Sequence, residues 1–277
     1  MNTESLKDVY LEDELRTSVR LIELGLGELQ NLDLVNDFYF LPFQLLSGGF
    51  ERLMKCHICL GHHEIHNCYP DSTEIEKYKH NLVKLKNKIL ASFFSVHGIP
   101  ALQEDLDFLT QDMALDKLIS LLSEFGKNAR YHNLDVITGK AKPSEDVKKR
   151  WEAYENDILK LHPHLLDKLE NIEAATEVLD FITREIIIKL ERFIRAICRQ
   201  FTMGRLGKKA LQQSSTLHQF ILLDDSKLGN RDYRKETTNF QAKESRVHSR
   251  TLFDELQRKT NPNYKHAVVK KEDFDGE

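Results

Sequence analysis

The chain has 277 residues, of which 40% are hydrophobic and 30% are charged, and its formal net charge is -4 at pH 7. These values fit one large helical domain or a domain with appendages. Because the charge is nearly balanced, no overall positive field marks the protein for nucleic acids or membranes, and any basic surface must be local. The 12 glycines and 6 prolines argue against a β-sandwich or a low-complexity chain.

Two further features concern membranes and the cellular compartment. Charged residues interrupt every apolar run, so that each is much shorter than the roughly 18 residues that a membrane span requires. No membrane association is therefore predicted. The four cysteines occur in a chain whose first residues are polar and do not resemble a secretory signal. Free cysteines of this kind are typical of a reducing compartment, and we expect a cytoplasmic protein.

Apolar residues recur at spacings of three and four along most of the chain and predict an all-α fold. Of the six predicted helices, the last is the longest, and its nearly strict periodicity makes it the expected core helix of the bundle. The predicted segments are, in chain order, about 4–31, 36–61, 71–94, 101–125, 144–161 and 165–203.

Several helix ends and one close helix contact are also predicted from residue types. Asp71 or Thr73 is the expected N-cap of the third helix, since Glu74 or Glu76 follows three positions later as in a capping box. Gly61 is the expected stop of the second helix. Gly48 and Gly49 lie inside that helix and indicate either close packing against a neighbour or a weak point.

The composition changes after residue 203. We predict a helical bundle over residues 1–203 and a basic, polar C-terminal extension over residues 204–277. Within it, 218–229 is predicted to form a short strand or a docked extended piece, and 230–277 is predicted to be a partly disordered tail. The basic stretch 199–209 is the best local candidate for a surface that faces phosphate.

Three cysteines and four histidines lie within the thirteen residues 56–68, and a metal site is one interpretation of them. Structural zinc sites, however, usually combine two short ligand pairs separated by a spacer, and no second pair occurs elsewhere in the chain. Cys56 and Cys59 also fall within the apolar helical run, where a free cysteine acts as a small hydrophobic residue. We therefore interpret the cluster as a helix end and predict that it binds no metal and that the protein has no cofactor.

Three short motifs together carry a resemblance to a known family. A Glu-x-x-x-Lys pattern occurs at Glu51 and Lys55, a His-Asn-Leu step at His80 to Leu82, and an Ala-Arg-Tyr step at Ala129 to Tyr131. In this order, across about 36–138, they resemble the HEPN domain, the nucleotide-binding helical fold of higher eukaryotes and prokaryotes. Roughly a third of the chain is covered, and each motif alone is weak.

The resemblance implies an all-α, HEPN-like bundle that binds RNA or a nucleotide. Some families of this type are metal-independent endoribonucleases that act in toxin or defence settings, with an Arg and a His separated by four to six residues. Arg52 and His57 fit that spacing but lie in an earlier helix than the family's pair, while Arg130 and His132 are only two positions apart. The alternative is a non-catalytic helical module for dimerisation or protein interaction.

His80 and Arg130 are the candidate catalytic residues. An imidazole can remove the proton of a ribose 2′-hydroxyl and a guanidinium can stabilise the phosphorane. Because consecutive helices of an up-down bundle are antiparallel, the start of the third helix and the end of the fourth are expected at one end of the bundle. A separation above about 12 Å would exclude a shared phosphate. The candidate RNA- or nucleotide-binding residues are Lys77, Lys79, Asn81, Tyr131 and His132.

The second predicted helix also bears on the oligomeric state of the protein. The second predicted helix is apolar on more than one face, and such a helix can supply a two-fold interface. We therefore expect a homodimer, with a protein partner as a further possibility of the non-catalytic interpretation.

Overall fold

The computed structural model describes residues 3–127, 137–139, 147–170 and 172–238. Within these ranges the chain forms ten α-helices and no strand, which confirms the all-α prediction. The helices are α1 Thr3–Gln30, α2 Phe40–His66, α3 Ser72–Glu76, α4 Leu82–Ser92, α5 Pro100–Gln111, α6 Met113–Lys127, α7 Val147–Leu161, α8 Ile172–Met203, α9 Gly207–Ile221 and α10 Tyr233–Thr238. Short 3-10 helices cover Pro163–Glu170 and Asp225–Lys227.

Two predicted helices are each divided in the structure. The third predicted helix becomes α3 and α4, because Lys79 adopts a left-handed conformation with φ of 46°. Asn81 then caps α4 with its side chain, and such a cap competes with continued helix. The fourth predicted helix is interrupted at Asp112, which has an extended ψ of 99° and accepts a hydrogen bond from the Leu115 amide at 2.8 Å.

Three helix ends also differ from the sequence prediction. Helix α2 begins at Phe40 instead of residue 36. Helix α2 does not stop at Gly61 but continues to His66, because Gly61 is buried and packs closely against the ring of Phe93. The sixth predicted helix begins at Ile172 instead of residue 165. Pro163, which lacks an amide donor, opens a 3-10 helix before it.

The strand or extended piece predicted over 218–229 is wrong. Residues up to Ile221 belong to α9, whose buried positions Ala210, Leu217, Phe220 and Ile221 include the three- and four-residue spacing of a helix. Residues 204–234 belong to the same compact unit as the bundle, Met1–Arg234. Most of the predicted disordered tail, 239–277, lies outside the described residues.

Helices α1 and α2 cross at very short range through two glycines. A Cβ atom added to Gly49 would lie 2.7 Å from Ile22 Cγ1 and 3.0 Å from its backbone nitrogen. A Cβ atom added to Gly25 would lie 2.6 Å from Leu46 Cγ. The buried Ser18 hydroxyl donates to the Gly49 carbonyl oxygen at 3.1 Å. The close packing predicted as one role for this glycine pair is therefore confirmed at Gly49.

Helix α2 is the central element of the bundle. Its buried residues occupy more than one face, and it packs against α1, α4, α6 and α9. The apolar positions that suggested a two-fold interface are therefore largely used inside the protomer. In the part of the chain that the structure describes, no helix is long and apolar enough to cross a membrane.

We predict opposite effects for the two neighbouring glycines of α2. Gly49→Ala should lower the free energy of unfolding by about 1–3 kcal/mol, because its methyl group overlaps Ile22. Gly48→Ala should raise it by about 0.5–1 kcal/mol, since the nearest atom, Leu21 Cδ1, is 3.9 Å away and the unfolded chain loses freedom. Urea denaturation measures both, and effects of the same sign would contradict the packing described.

Candidate functional site

A cavity of about 690 Å³ lies between the N-terminal half of α1 and the middle of α2. It is closed at one side by the segment that follows α2 and at another by the turn between α3 and α4. Charged side chains of both signs line it together with apolar ones and two thiols. The lining residues are Lys7, Tyr10, Leu11, Glu14, Gly48, Glu51, Arg52, Lys55, Cys56, Cys59, Tyr69, Pro70 and His80.

Three side chains in mutual contact, Lys55, Glu51 and His80, extend along one wall of this cavity to its exposed edge. Glu51 Oε2 lies 2.8 Å from His80 Nδ1, and Glu51 Oε1 accepts a hydrogen bond from Lys55 Nζ at 2.6 Å. Glu51 is mostly buried, while the His80 side chain is 49% exposed. A carboxylate on Nδ1 fixes the ring with Nε2 as the nitrogen available for proton transfer. No other described residue forms a hydrogen bond with His80.

Further cations line the cavity. Arg52 forms an ion pair with Glu14 that joins α2 to α1, and Lys7 forms a 2.9 Å pair with Glu4. Both pairs are substantially exposed, so each contributes little to stability and can be exchanged for a bound anion. The cavity wall thus offers three permanent cations and an imidazole against two carboxylates.

Tyr69 is fixed at the edge of the cavity by a charged pair behind it. Its hydroxyl donates to Asp8 Oδ1 at 2.6 Å, and Lys209 Nζ bonds the same oxygen. Burial would raise the pKa of Asp8, but the hydrogen bonds from Lys209 and Tyr69 outweigh it and lower the pKa. Since Lys209 is used here and Arg199 is paired with Asp105 at 3.1 Å, much of the basic stretch 199–209 is engaged internally.

Three of the predicted binding residues lie in the turn before α4, but none of them lines the cavity. Lys77 is exposed and bonds Glu74, and Lys79 is exposed in its left-handed conformation. Asn81 Oδ1 accepts a hydrogen bond from the Lys84 amide at 3.0 Å and another from the Ser123 hydroxyl at 3.3 Å. Asn81 therefore has a structural role at the start of α4, which its residue type alone could have indicated.

The contact predicted for the start of the third helix is found at the start of α4 instead, which lies inside that predicted segment. The Leu82 amide donates to Ser123 Oγ at 3.1 Å, so the start of α4 contacts the end of α6. A Cβ atom added to Gly126 would lie 3.6 Å from His80 Cβ. Arg130 follows Gly126 by four positions in sequence. Arg130, Tyr131 and His132 lie outside the described residues, and the distance from Arg130 to His80 stays a prediction.

The structure distributes the cysteine and histidine cluster 56–68 over different environments. Cys56 and His57 are buried in the core, Cys59 is partly buried, and Cys68 is exposed. Burial raises the pKa of the Cys59 thiol to about 11, so it stays protonated at neutral pH. No group of three or more metal-ligating side chains is gathered among the described residues.

Arg52 and His57, which match the Arg-x4-His spacing, do not share a site. Arg52 lines the cavity, whereas the His57 ring is fully buried beside the ring of Phe201, with 5.8 Å between centroids. Neither ring nitrogen of His57 has a hydrogen-bond partner in the described chain. Burial lowers the pKa of His57 to about 4, and weak polar contacts with the backbone of Phe93 and Ile197 offset only part of this effect.

Several cavity residues have no signal in the sequence, and others are indicated only by a motif. Glu51 and Lys55 were noticed through their spacing, which also predicts the ordinary helix pair that they form. Lys7, Tyr10, Glu14 and Tyr69 were not noticed, because they come from other segments and have no common pattern in the sequence.

We predict that His57 makes the protein less stable in mild acid. The unfolded state gains a proton on an ordinary histidine near pH 6.5, whereas the folded state gains it only near pH 4. The stability associated with neutral His57 is thus present above pH 6.5 and is lost as the pH falls to 4, by roughly 3 kcal/mol at most. His57→Leu should remove this part of the pH dependence in urea denaturation at several pH values.

The control for this measurement is His63→Leu, because His63 is only partly buried. That variant should keep the pH dependence of the original protein. Profiles of the original protein and of His57→Leu that run parallel between pH 4 and 6.5 would contradict the prediction.

Comparison with models of known protein families, with curated proteins and with solved structures finds no match to this chain. The HEPN resemblance thus stays a prediction that depends on the three sequence motifs. The functional conclusion therefore depends on the geometry of the cavity.

Proposed function

We propose that the chain is a cytoplasmic, HEPN-like protein that binds RNA or a nucleotide in the cavity between α1 and α2. The observation that carries the proposal is the contact of Glu51 with His80 Nδ1 at 2.8 Å, on a wall that also presents Arg52 and Lys55. A carboxylate-oriented imidazole beside two cations suits a ligand with a phosphate group and an acidic proton.

The cavity lining includes groups suited to a phosphate and a ring suited to a base. Arg52 offers a planar guanidinium, which matches two phosphate oxygens, and Lys55 adds a point charge. Tyr10 also lines the cavity and is 62% exposed, so its ring is available for stacking by a nucleobase. The volume of about 690 Å³ is within the usual range for a small-molecule pocket.

The catalytic form of the proposal is metal-independent RNA cleavage in a toxin or defence setting. His80 Nε2 takes the proton of the ribose 2′-hydroxyl, and Glu51 stabilises the imidazolium that results. The 2′-oxygen then attacks the adjacent phosphorus to form a 2′,3′-cyclic phosphate, the bond from phosphorus to the 5′-oxygen of the next nucleotide breaks, and that oxygen takes a proton from solvent while the His80 imidazolium returns its proton to solvent. Arg130, together with Arg52, stabilises the negative charge on the phosphorane.

We predict that RNA cleavage in EDTA depends on His80 and Arg130. With end-labelled single-stranded RNA, His80→Ala and Arg130→Ala should each lower the cleavage rate by about 100-fold or more, because each removes a group that acts in the transition state. His97→Ala is the matched control, since His97 is an exposed loop histidine that does not line the cavity. Equal cleavage by the His80 variant would contradict a catalytic role.

Binding is tested separately from cleavage. Arg52→Ala and Lys55→Ala should each weaken the binding of RNA or of a nucleoside phosphate by about tenfold, which corresponds to about 1.4 kcal/mol. Lys84→Ala is the control, because Lys84 is exposed on α4 away from the cavity. Unchanged affinity in both cavity variants, measured by fluorescence anisotropy, would contradict the proposed site.

A second candidate function, a non-catalytic module that forms a homodimer, is favoured by an exposed apolar surface. This α1–α2 loop surface includes Val35, which is 94% exposed, and the rings of Phe38 and Phe40, whose centroids are 6.1 Å apart. Contiguous apolar residues of this size on a surface commonly mark an interface. The remaining members are Leu34 and Leu41.

We predict that this surface holds the dimer together. Light scattering at micromolar concentration should give about twice the chain mass of 32.3 kDa for the original protein. Phe38→Ser with Val35→Ser should give the monomer mass, because the change removes apolar area from the interface without altering the core. The same double change at Leu161 and Leu211, which are exposed elsewhere, is the control. A monomer mass for the original protein would contradict dimerisation.

A further inference from the structure

The last turn of α2 carries two histidines one helical turn apart. His62 and His66 occupy positions i and i+4, which face the same side of a helix. Their ring centroids are 4.3 Å apart, and the planes are inclined by 43°. Both side chains lie at the accessible end of the helix, beyond the lining of the cavity. The pair exists because α2 continues past Gly61 to His66.

The chain beyond the helix fixes the protonation pattern of one of these rings. Asn67 ends α2 in a left-handed conformation, with φ of 55°, and its amide donates to the His63 carbonyl oxygen at 2.8 Å. The reversal brings the Cys68 carbonyl oxygen to 2.9 Å from His62 Nδ1. Since a carbonyl oxygen only accepts, Nδ1 carries the proton and Nε2 keeps its lone pair. Metal-ligating histidines commonly have this arrangement.

We propose that His62 and His66 form a surface site for a divalent transition-metal ion. Two imidazole nitrogens select copper, nickel or zinc, whereas magnesium and calcium prefer oxygen ligands. Water completes the coordination, because no group of three metal-ligating side chains occurs among the described residues. The proposal departs from the prediction that this cluster binds no metal, because the sequence argued against a four-ligand structural zinc site, whereas this two-histidine site is open and the fold does not require the ion.

The metal site lies close in sequence to two residues of the cavity wall. The two rings meet one ion only when the last turn of α2 is helical, so the ion stabilises that turn by the free energy of binding. The segment after the turn carries Tyr69 and Pro70, which line the cavity. The metal site therefore lies next to the ligand cavity and uses none of its charged residues.

The test is a zinc titration of the full chain, without an affinity tag, by calorimetry at neutral pH. We expect about one Zn²⁺ per chain for the original protein, and a loss of affinity of about tenfold or more in His62→Ala and in His66→Ala. His63→Ala is the matched control, because the His63 ring packs against the ring of Tyr69 instead, with 4.9 Å between centroids. Copper should bind more tightly than zinc at the same pair.

Two further measurements make the outcome decisive. Hydrogen exchange of the amides of residues 63–68 should slow on adding Zn²⁺ in the original protein and in His63→Ala, but not in His62→Ala or His66→Ala. Melting curves without metal confirm that each variant is folded. Binding that survives both histidine changes, or that Cys68→Ser alone abolishes, overturns the proposal.

Discussion

The contact between α1 and α2 at Gly25 and Gly49 determines where the other features of the bundle lie. At this crossing the two backbones are so close that a methyl group on either glycine would overlap its neighbour. The antiparallel pair brings Glu14 beside Arg52, where an ion pair crosses the cavity. A residue larger than glycine at the crossing would force apart the two helices that supply most of the cavity lining.

A second set of contacts holds the chain beyond α8 against the bundle. Glu191 is fully buried, and its carboxylate accepts hydrogen bonds from the Gly229 amide at 2.6 Å and the Tyr233 hydroxyl at 2.7 Å. Burial raises the pKa of Glu191, although these two bonds act in the opposite direction. The Arg195 guanidinium donates to the Leu223 carbonyl oxygen at 3.0 Å. Glu191 and Arg195 of α8 thus form hydrogen bonds with the backbone of Gly229 and Leu223. These bonds hold a segment that has few apolar residues.

The sequence predicted the helices well where one periodic stripe faces one core, as in α1 and α7, because burial then follows the helical period. It failed at ends that depend on tertiary contacts. Gly61 was predicted as a stop because glycine commonly ends a helix, yet here it is required by the ring of Phe93. The strand prediction over 218–229 also failed, because Phe220 and Ile221 are the last buried positions of α9 and continue the helical spacing from Leu217.

The candidate site was predicted only in part, because its residues come together through tertiary structure. His80 was identified from a local motif, but its partner Glu51 lies 29 positions earlier in the sequence, and no spacing rule connects them. Lys77 and Asn81, two of the candidate binding residues near His80, have structural roles instead. Lys77 pairs with Glu74, and Asn81 caps α4.

The break between α3 and α4 is what places His80 beside Glu51. The continuous helix predicted from the sequence would have no left-handed residue at Lys79. The left-handed conformation that Lys79 adopts instead costs about 1 kcal/mol or more. The hydrogen bonds that Asn81 and Ser123 form at the start of α4 offset this cost, since each is worth about 1 kcal/mol. Backbone strain that is compensated by its surroundings is concentrated at functional sites in proteins. Asn67 and His97 also have positive φ in the described chain, so the conformation of Lys79 explains how His80 reaches Glu51 but does not by itself mark the turn as a functional site.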